Sequence, residues 1–159
     1  MRIVLELKKE KALPGLSLLF LKKIVAETCK EAFPKVFGKG VTVKLDVASV
    51  SDDSIAQLNA DYRGKKKPTD ILSFGSFESS EAVSRSRRKE FDLGQIILSP
   101  DFIQRSARED GVSWKHEFAF VFSHGVLHLL GYDHSPKMFE TQDTVTARIV
   151  KKSSKKSKS

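Results

Sequence analysis

Between Ser113 and Gly131 the chain carries Phe118, Ala119, Phe120, Val121 and Phe122 in unbroken succession, so any helix they form is apolar around its whole circumference. A surface helix hides one stripe and wets the rest, whereas a helix apolar on every side must be enclosed by more than one neighbour. Ser113 is suited to cap its N-terminus, and Gly131 to end it, because a glycine after the last turn can take positive φ. The sequence therefore predicts a fold built around a central buried helix, and that helix runs into the stretch Ser-His-Gly-Val-Leu-His-Leu-Leu-Gly-Tyr-Asp-His at positions 123–134.

Three of the four histidines of the chain, His124, His128 and His134, fall in this stretch. On a helix His124 and His128 stand one turn apart on the same face. A stop at Gly131 followed by a Tyr132-Asp133 turn would return His134 toward the pair. Three neutral imidazoles with a fourth position open to water form a catalytic zinc arrangement rather than a closed structural one. Zincin metalloproteases carry His-Glu-x-x-His, with the glutamate as general base, but Gly125 occupies that position here, so a peptidase would lack its base. Asp133 has two open roles: accepting the second ring N–H of a ligating histidine, or capping the turn. His116, two helical turns before His124, lies too far along the axis to join the same ion and is expected to be structural or solvent-facing.

Two further blocks accompany the histidines. One runs Asn59-Ala60-Asp61-Tyr62-Arg63-Gly64-Lys65-Lys66-Lys67-Pro68-Thr69-Asp70-Ile71-Leu72-Ser73-Phe74, the other Leu93-Gly94-Gln95-Ile96-Ile97-Leu98-Ser99-Pro100. Together with His-Gly-Val-Leu-His-Leu-Leu-Gly-Tyr-Asp-His they resemble, in order, the signature blocks of the YbeY family of bacterial metal-dependent endoribonucleases, also called rRNA maturation factors. The resemblance implies a sheet of about four strands and places Arg63 in the active cleft. The chain departs from the family pattern at Gly75, where a proline is expected, and at Gln95, where an aspartate is usual. It is also more arginine-rich from Ser84 to Lys89. None of these touches the histidines or Arg63, so the departures bear on loop shape and substrate detail.

At 159 residues the chain suits one domain, taken as residues 1–150, large enough for a core without disulfide staples. Cys29 is the single cysteine, which excludes an intrachain disulfide; in its apolar helical setting it reads as a small core residue. No stretch approaches the roughly 20 apolar residues of a membrane span, and the start Met-Arg-Ile-Val-Leu-Glu lacks the order of a signal peptide, so a cytoplasmic protein is expected. The net charge of +8 suits an anionic partner, but five of those charges belong to Lys151, Lys152, Lys155, Lys156 and Lys158. That lysine- and serine-only tail, residues 151–159, has no apolar residue to bury and is expected to be disordered.

Along the rest of the chain, alternation predicts strands over Arg2 to Leu7 and Val41 to Val50, the latter with Val41, Val43, Leu45 and Val47 on one face. Ile71 to Phe77 and Leu93 to Leu98 read as further strands joined by a polar loop. Helical spacing of Leu18, Leu21, Val25, Cys29 and Ala32 predicts a helix closed by Pro34. Ser51 caps a helix through about Tyr62, Ser99-Pro100 opens one that Gly111 stops, and Lys137 to Val150 forms the last. The fold class is therefore α/β (α+β): a single domain with a small mixed sheet flanked by helices and a metal site at the end of the central buried helix.

Hydrolysis at a metal needs activated water and positive charge on the phosphate. Zinc supplies the first, bringing bound water to a pKa of about 7. Arg63 suits the second, because a guanidinium fork matches phosphate oxygens; without the resemblance it would read as a surface arginine. Lys65, Lys66, Lys67, Arg85, Arg87, Arg88 and Lys89 offer a basic approach, although charge runs are usually solvated faces. Tyr62, Phe74 and Phe77 are candidates to stack a base, or core aromatics. The expected function is a metal-dependent, single-strand-preferring endoribonuclease acting on rRNA precursors in rRNA maturation and ribosome quality control. It would hold one zinc ion on His124, His128 and His134, with Arg63 as the fourth catalytic residue and the ribosomal subunit or its associated proteins as further partners. The rivals are a metalloprotease or other metal hydrolase, and a non-catalytic ribosome assembly factor with a structural ion.

Overall fold

A computed structural model describes residues 1–151 in full and carries the backbone of the last helix to Ser157. Of the tail expected to be disordered, residues 151–157 carry the helical backbone of that last helix, and residues 158–159 lie outside the described residues. Four strands, β1 (Arg2–Lys9), β2 (Thr42–Ser49), β3 (Ile71–Gly75) and β4 (Glu90–Leu98), form one mixed sheet in the order β1-β2-β4-β3. β2 runs parallel to both β1 and β4, and β3 pairs antiparallel with β4. The helices are α1 (Leu18–Ala32), α2 (Asp52–Arg63), α3 (Ser80–Ser84), α4 (Pro100–Asp110), α5 (Trp114–Leu129) and α6 (Pro136–Ser157). The α/β reading and the sheet of four strands that the resemblance implied are both met.

Helix α5 is enclosed as its sequence demands: it packs on α1, α4 and α6 and on strands β3 and β4. Phe118, Ala119, Phe122, Val126, Leu127 and Leu129 are all fully buried, and Phe118 and Phe122 stack with ring centroids 5.4 Å apart. Val43, Leu45 and Val47 of β2 and Phe91, Leu93, Ile96 and Leu98 of β4 join the same core. A second, smaller cluster of Ile55, Leu72 and Ile97 fills the space between α2 and the sheet. The serine caps behave as expected: Ser51, Ser99 and Ser113 each accept a backbone N–H in the first turn of the helix they open.

Two sequence expectations need correction. Leu18 does not share the buried stripe of α1, being 43% exposed; the first helical position projects past the core, and Ile24 and Thr28 complete the stripe instead. The polar connection between β3 and β4 is not simply a loop, because it folds into the short helix α3. Its Ser79 caps the first turn, and Val83, its one large apolar residue, is fully buried in the main core as an anchor.

The end of α5 has the geometry on which the histidines depend. The Tyr132 N–H donates to the Leu127 carbonyl and the Gly131 N–H to that of His128, while Gly131 sits at φ +85°. A Cβ at Gly131 would lie 2.3 Å from the Ser79 carbonyl carbon and 2.7 Å from the Ser80 nitrogen, so the turn is wedged against the start of α3. Gly64, which caps α2 at φ +70°, has nothing within 4 Å of its missing Cβ. Gly131→Ala should therefore combine about 1–2 kcal/mol of left-handed backbone strain with about 1–3 kcal/mol of overpacking, whereas Gly64→Ala should show the strain alone. Urea denaturation of the two variants measures the difference, and equal losses would remove the wedge from this account.

Candidate metal centre

His124 and His128 occupy the last two turns of α5, and the turn at Gly131 brings His134 to meet them. The Nε2 atoms of His124 and His128 are 3.0 Å apart, those of His128 and His134 3.2 Å, and those of His134 and His124 3.3 Å. Nitrogens bound to one tetrahedral ion at 2.0–2.1 Å are spaced about 3.3 Å apart, so this triangle has the dimensions of a zinc-like site.

The protonation states fit as well. Gln142, buried on α6, donates from Nε2 to the Phe120 carbonyl at 2.9 Å, which turns its Oε1 toward His124 Nδ1 at 3.2 Å. Since an amide oxygen only accepts, His124 carries its proton on Nδ1. His128 likewise donates from Nδ1 to the Tyr132 carbonyl at 3.0 Å. Both Nε2 atoms are thus bare lone pairs aimed at a common point. Burial lowers the pKa of His124 and of His128 from the ordinary histidine value; neighbouring imidazoles lower both further, and the Arg63 charge acts in the same sense on His128. Neutral imidazoles with converging lone pairs are the donor set that a cation completes.

Of the two roles open to Asp133, orienting a ring of His124 or His128 is taken by other groups. Asp133 is exposed, and the ring N–H groups of His124 and His128 go to Gln142 and to the Tyr132 carbonyl. Gln142 had no signal in the sequence, since one amide on a helix eighteen residues downstream announces nothing until α6 packs on α5. His116 is half-buried, one turn into α5 and away from the cluster, as expected.

The histidines form the floor of a cavity of about 330 Å³ that Arg63, Asp70, Phe120 and Phe139 also line. Arg63 is exposed in the last turn of α2, where the helix dipole favours a cation, and Gly64 caps the helix behind it. Between Arg63 and Asp70 the chain is pinned by buried Asn59, whose Nδ2 donates to the Lys67 carbonyl at 3.0 Å. Desolvation pushes the half-buried Asp70 carboxyl above the usual carboxylate range, against the pull of the Ile71 N–H, His124 and the Thr69 hydroxyl. Phe139 was also missed by sequence reasoning; it is 46% exposed and its ring stacks on His134 at 5.8 Å. Of the aromatics singled out in the sequence, Tyr62 is exposed with its ring against Phe74, while Phe77 packs half-buried on Phe91.

Gly125 lies against the sheet. A Cβ there would fall 2.5 Å from Ile71 Cδ1, 3.2 Å from Ser73 Oγ and 3.3 Å from Ile96 Cδ1. A side chain at the position that carries the protease glutamate would therefore have to displace the Ile71 side chain and would point at strands β3 and β4.

The profile of the family described as Endoribonuclease YbeY matches residues 9–150. The chain belongs to the YbeY endoribonuclease family. An Endoribonuclease YbeY from Petrotoga mobilis is 36% identical to it over 135 residues, covering 81% of this chain and 86% of the relative. One from Bacillus subtilis is 43% identical over 101 residues, covering 62% and 64% of the two chains. The solution structure of TM1509 from Thermotoga maritima superposes with a TM-score of 0.60 at 28% identity, covering 97% of this chain and 93% of that one. Among the described residues of this YbeY-family chain, no helix is long and apolar enough to cross a membrane.

Alanine at any of His124, His128 or His134 should reduce bound metal to a small fraction of the wild-type content, because water must then replace an imidazole. Gln142→Leu should weaken metal affinity about 10–100-fold while the fold survives, as loss of an orienting hydrogen bond typically does. Elemental analysis after dialysis against a graded chelator reads both, and full metal content in the histidine variants would overturn the ligand assignment.

Proposed function

We propose that this protein is a zinc-dependent endoribonuclease that hydrolyses single-stranded regions of rRNA precursors. The observation that carries the reading is the triangle of Nε2 atoms, bare on His124 and His128, on the floor of an open cavity whose rim holds Arg63. His124, His128 and His134 would hold the ion, which when bound supplies Lewis acidity toward a phosphoryl oxygen and makes water nucleophilic near neutral pH. The open cavity counts against a closed structural ion, and hence against a purely structural role in ribosome assembly. The crowding at Gly125 counts against a zincin-type peptidase.

The chain's own groups divide the remaining work. The Arg63 guanidinium grips the scissile phosphate and steadies the charge that grows on its oxygens as the bond to water forms. Addition of water and cleavage of one P–O bond yield a phosphate monoester and a free hydroxyl. Protons must therefore move from the water toward the leaving oxygen, and Asp70, half-buried in the cavity wall with a raised pKa, is the group suited to hold one in passing. Ile71, Phe120 and Val121 line the cavity with apolar surface and limit stray water. The exposed ring of Phe139 offers a face on which an unpaired base can stack, which a base locked in a duplex cannot reach.

The resemblance in sequence extends the reading to rRNA maturation and ribosome quality control in the cytoplasm, with ribosomal subunits as partners. The likeness to proteins named Endoribonuclease YbeY supports the ribonuclease part of it.

Chelation should abolish cleavage of single-stranded RNA, with zinc restoring it, and duplex RNA should remain a poor substrate throughout. Arg63→Ala should keep its metal and its melting temperature but lose about a hundredfold or more in kcat, the scale of removing one charge-stabilising donor, and Arg63→Lys should recover little of it. Unchanged kcat/KM for Arg63→Ala at saturating zinc would return Arg63 to the solvent-exposed surface.

A further inference from the structure

A second, larger cavity of about 570 Å³ lies at α3 and the segment that follows it, lined by Arg85, Arg87 and Arg88 together with Phe77, Glu78 and Ser86 among others. Three exposed arginines and one acidic residue, Glu78, thus line one hollow. Among the described residues none of the three arginines takes part in an ion pair, although Arg105 and Arg148 do. Folding alone gives no account of why three strongly basic side chains are gathered here without partners.

The segment holding them is shaped rather than slack. Val83 is fully buried and pins α3 to the core. The Ser86 N–H donates to the Val83 carbonyl at 3.0 Å, and the Ser86 hydroxyl accepts from the Arg88 N–H at 3.3 Å, so the turn between the arginines is fixed. Phe77 forms part of the wall and is itself held by Phe91, with ring centroids 6.0 Å apart.

Its position gives the hollow a purpose. Ser79 lines it, and the Ser79 backbone is the group against which Gly131 is wedged. Gly131 lies between His128 and His134, which form the floor of the metal cavity. The segment that lines the hollow is thus in backbone contact with the turn that delivers His134 to the metal cavity.

We propose that Arg85, Arg87 and Arg88 form a second phosphate-binding subsite that holds the backbone of a single-stranded RNA several nucleotides from the bond being cleaved. The inference rests on the ribonuclease reading and extends it to substrate length. Arginine forks match phosphate oxygens, and as these three stand in no ion pair among the described residues they bind without first breaking an internal one. The subsite grips backbone, so it adds affinity for long strands without choosing a sequence. An acidic protein surface would also attract such arginines, but the contact between the Ser79 segment and the turn that delivers His134 favours the strand that enters the metal cavity.

The test uses the zinc-loaded full chain and fluorescein-labelled oligouridylates of about 4 and about 20 nucleotides, bracketing common single-strand site sizes. Binding is followed by anisotropy across a salt series, in parallel with cleavage. For the long strand, R85Q/R87Q/R88Q should flatten the plot of log K against log salt by about 0.7 for each phosphate that the protein no longer neutralises, so by up to about 2. Its kcat/KM on the short strand and its metal content should match wild type, and the lysine-substituted triple variant should keep most of the slope. Equal slopes for wild type and the glutamine variant on the long strand overturn the proposal and leave the arginines to solvent or a protein partner. Equal losses on both strands also overturn it, because the charge then acts on the metal cavity as a whole. If wild type cleaves neither strand yet the slopes differ, the subsite stands and the ribonuclease reading fails.

Discussion

Three imidazole lone pairs held within 3.3 Å of one another repel when no proton or cation lies between them, and the architecture of this protein is organised around maintaining that arrangement. Two of the rings stand on a helix that cannot shift, because α5 is buried against three helices and two strands. The third arrives through a turn that cannot open, because Gly131 is pressed on the backbone of Ser79. The stability of the hydrophobic core is thereby spent on local geometry: Phe118 and Phe122 make no contact with the cavity, yet they fix the axis along which His124 and His128 project.

Much of this was legible in the sequence, and the reason differs from element to element. The serine caps, the apolar circumference of α5 and the alternation of β2 are local signals, and each appears where local physics puts it. The histidine cluster was legible for the same reason, since its members lie within eleven residues and one helix with one turn suffices to join them. What could not be read depends on long-range packing. Gln142 orients His124 only because α6 docks on α5. Asp133 could not be assigned from the sequence, where orienting a ligand and capping the turn were both open to it. A carboxylate next to a ligand looks like its partner, but the turn that delivers His134 leaves Asp133 exposed and lets the Tyr132 carbonyl take the ring proton of His128 instead. The helix α3 was hidden because a single buried valine in a run of serines, glutamates and arginines carries no periodicity.

The charges around the cavity fall into a pattern with a physical logic. Arg63 disfavours a second positive charge on His128 and so helps keep its Nε2 free for a metal, while Asp70 pulls the other way on His124. Burial outweighs Asp70 there, and both rings stay biased toward the neutral form. Arg63 thus serves the site before any substrate arrives, and a phosphate that binds it would draw charge density toward the rim, away from the imidazoles.

That arrangement also explains why the basic residues are distributed as they are. A strong positive field on the cavity floor would repel the metal cation itself, and the cationic side chains that line the two cavities stand at Arg63 and beyond the Gly131 turn. A single-stranded polyanion laid across this surface meets arginine at Arg63, neutral donors at the histidines, and arginine again past the turn. If a strand occupies both cavities as proposed, affinity falls on flanking phosphates, and the reacting phosphate is left to the few groups that need to discriminate its transition state from its ground state.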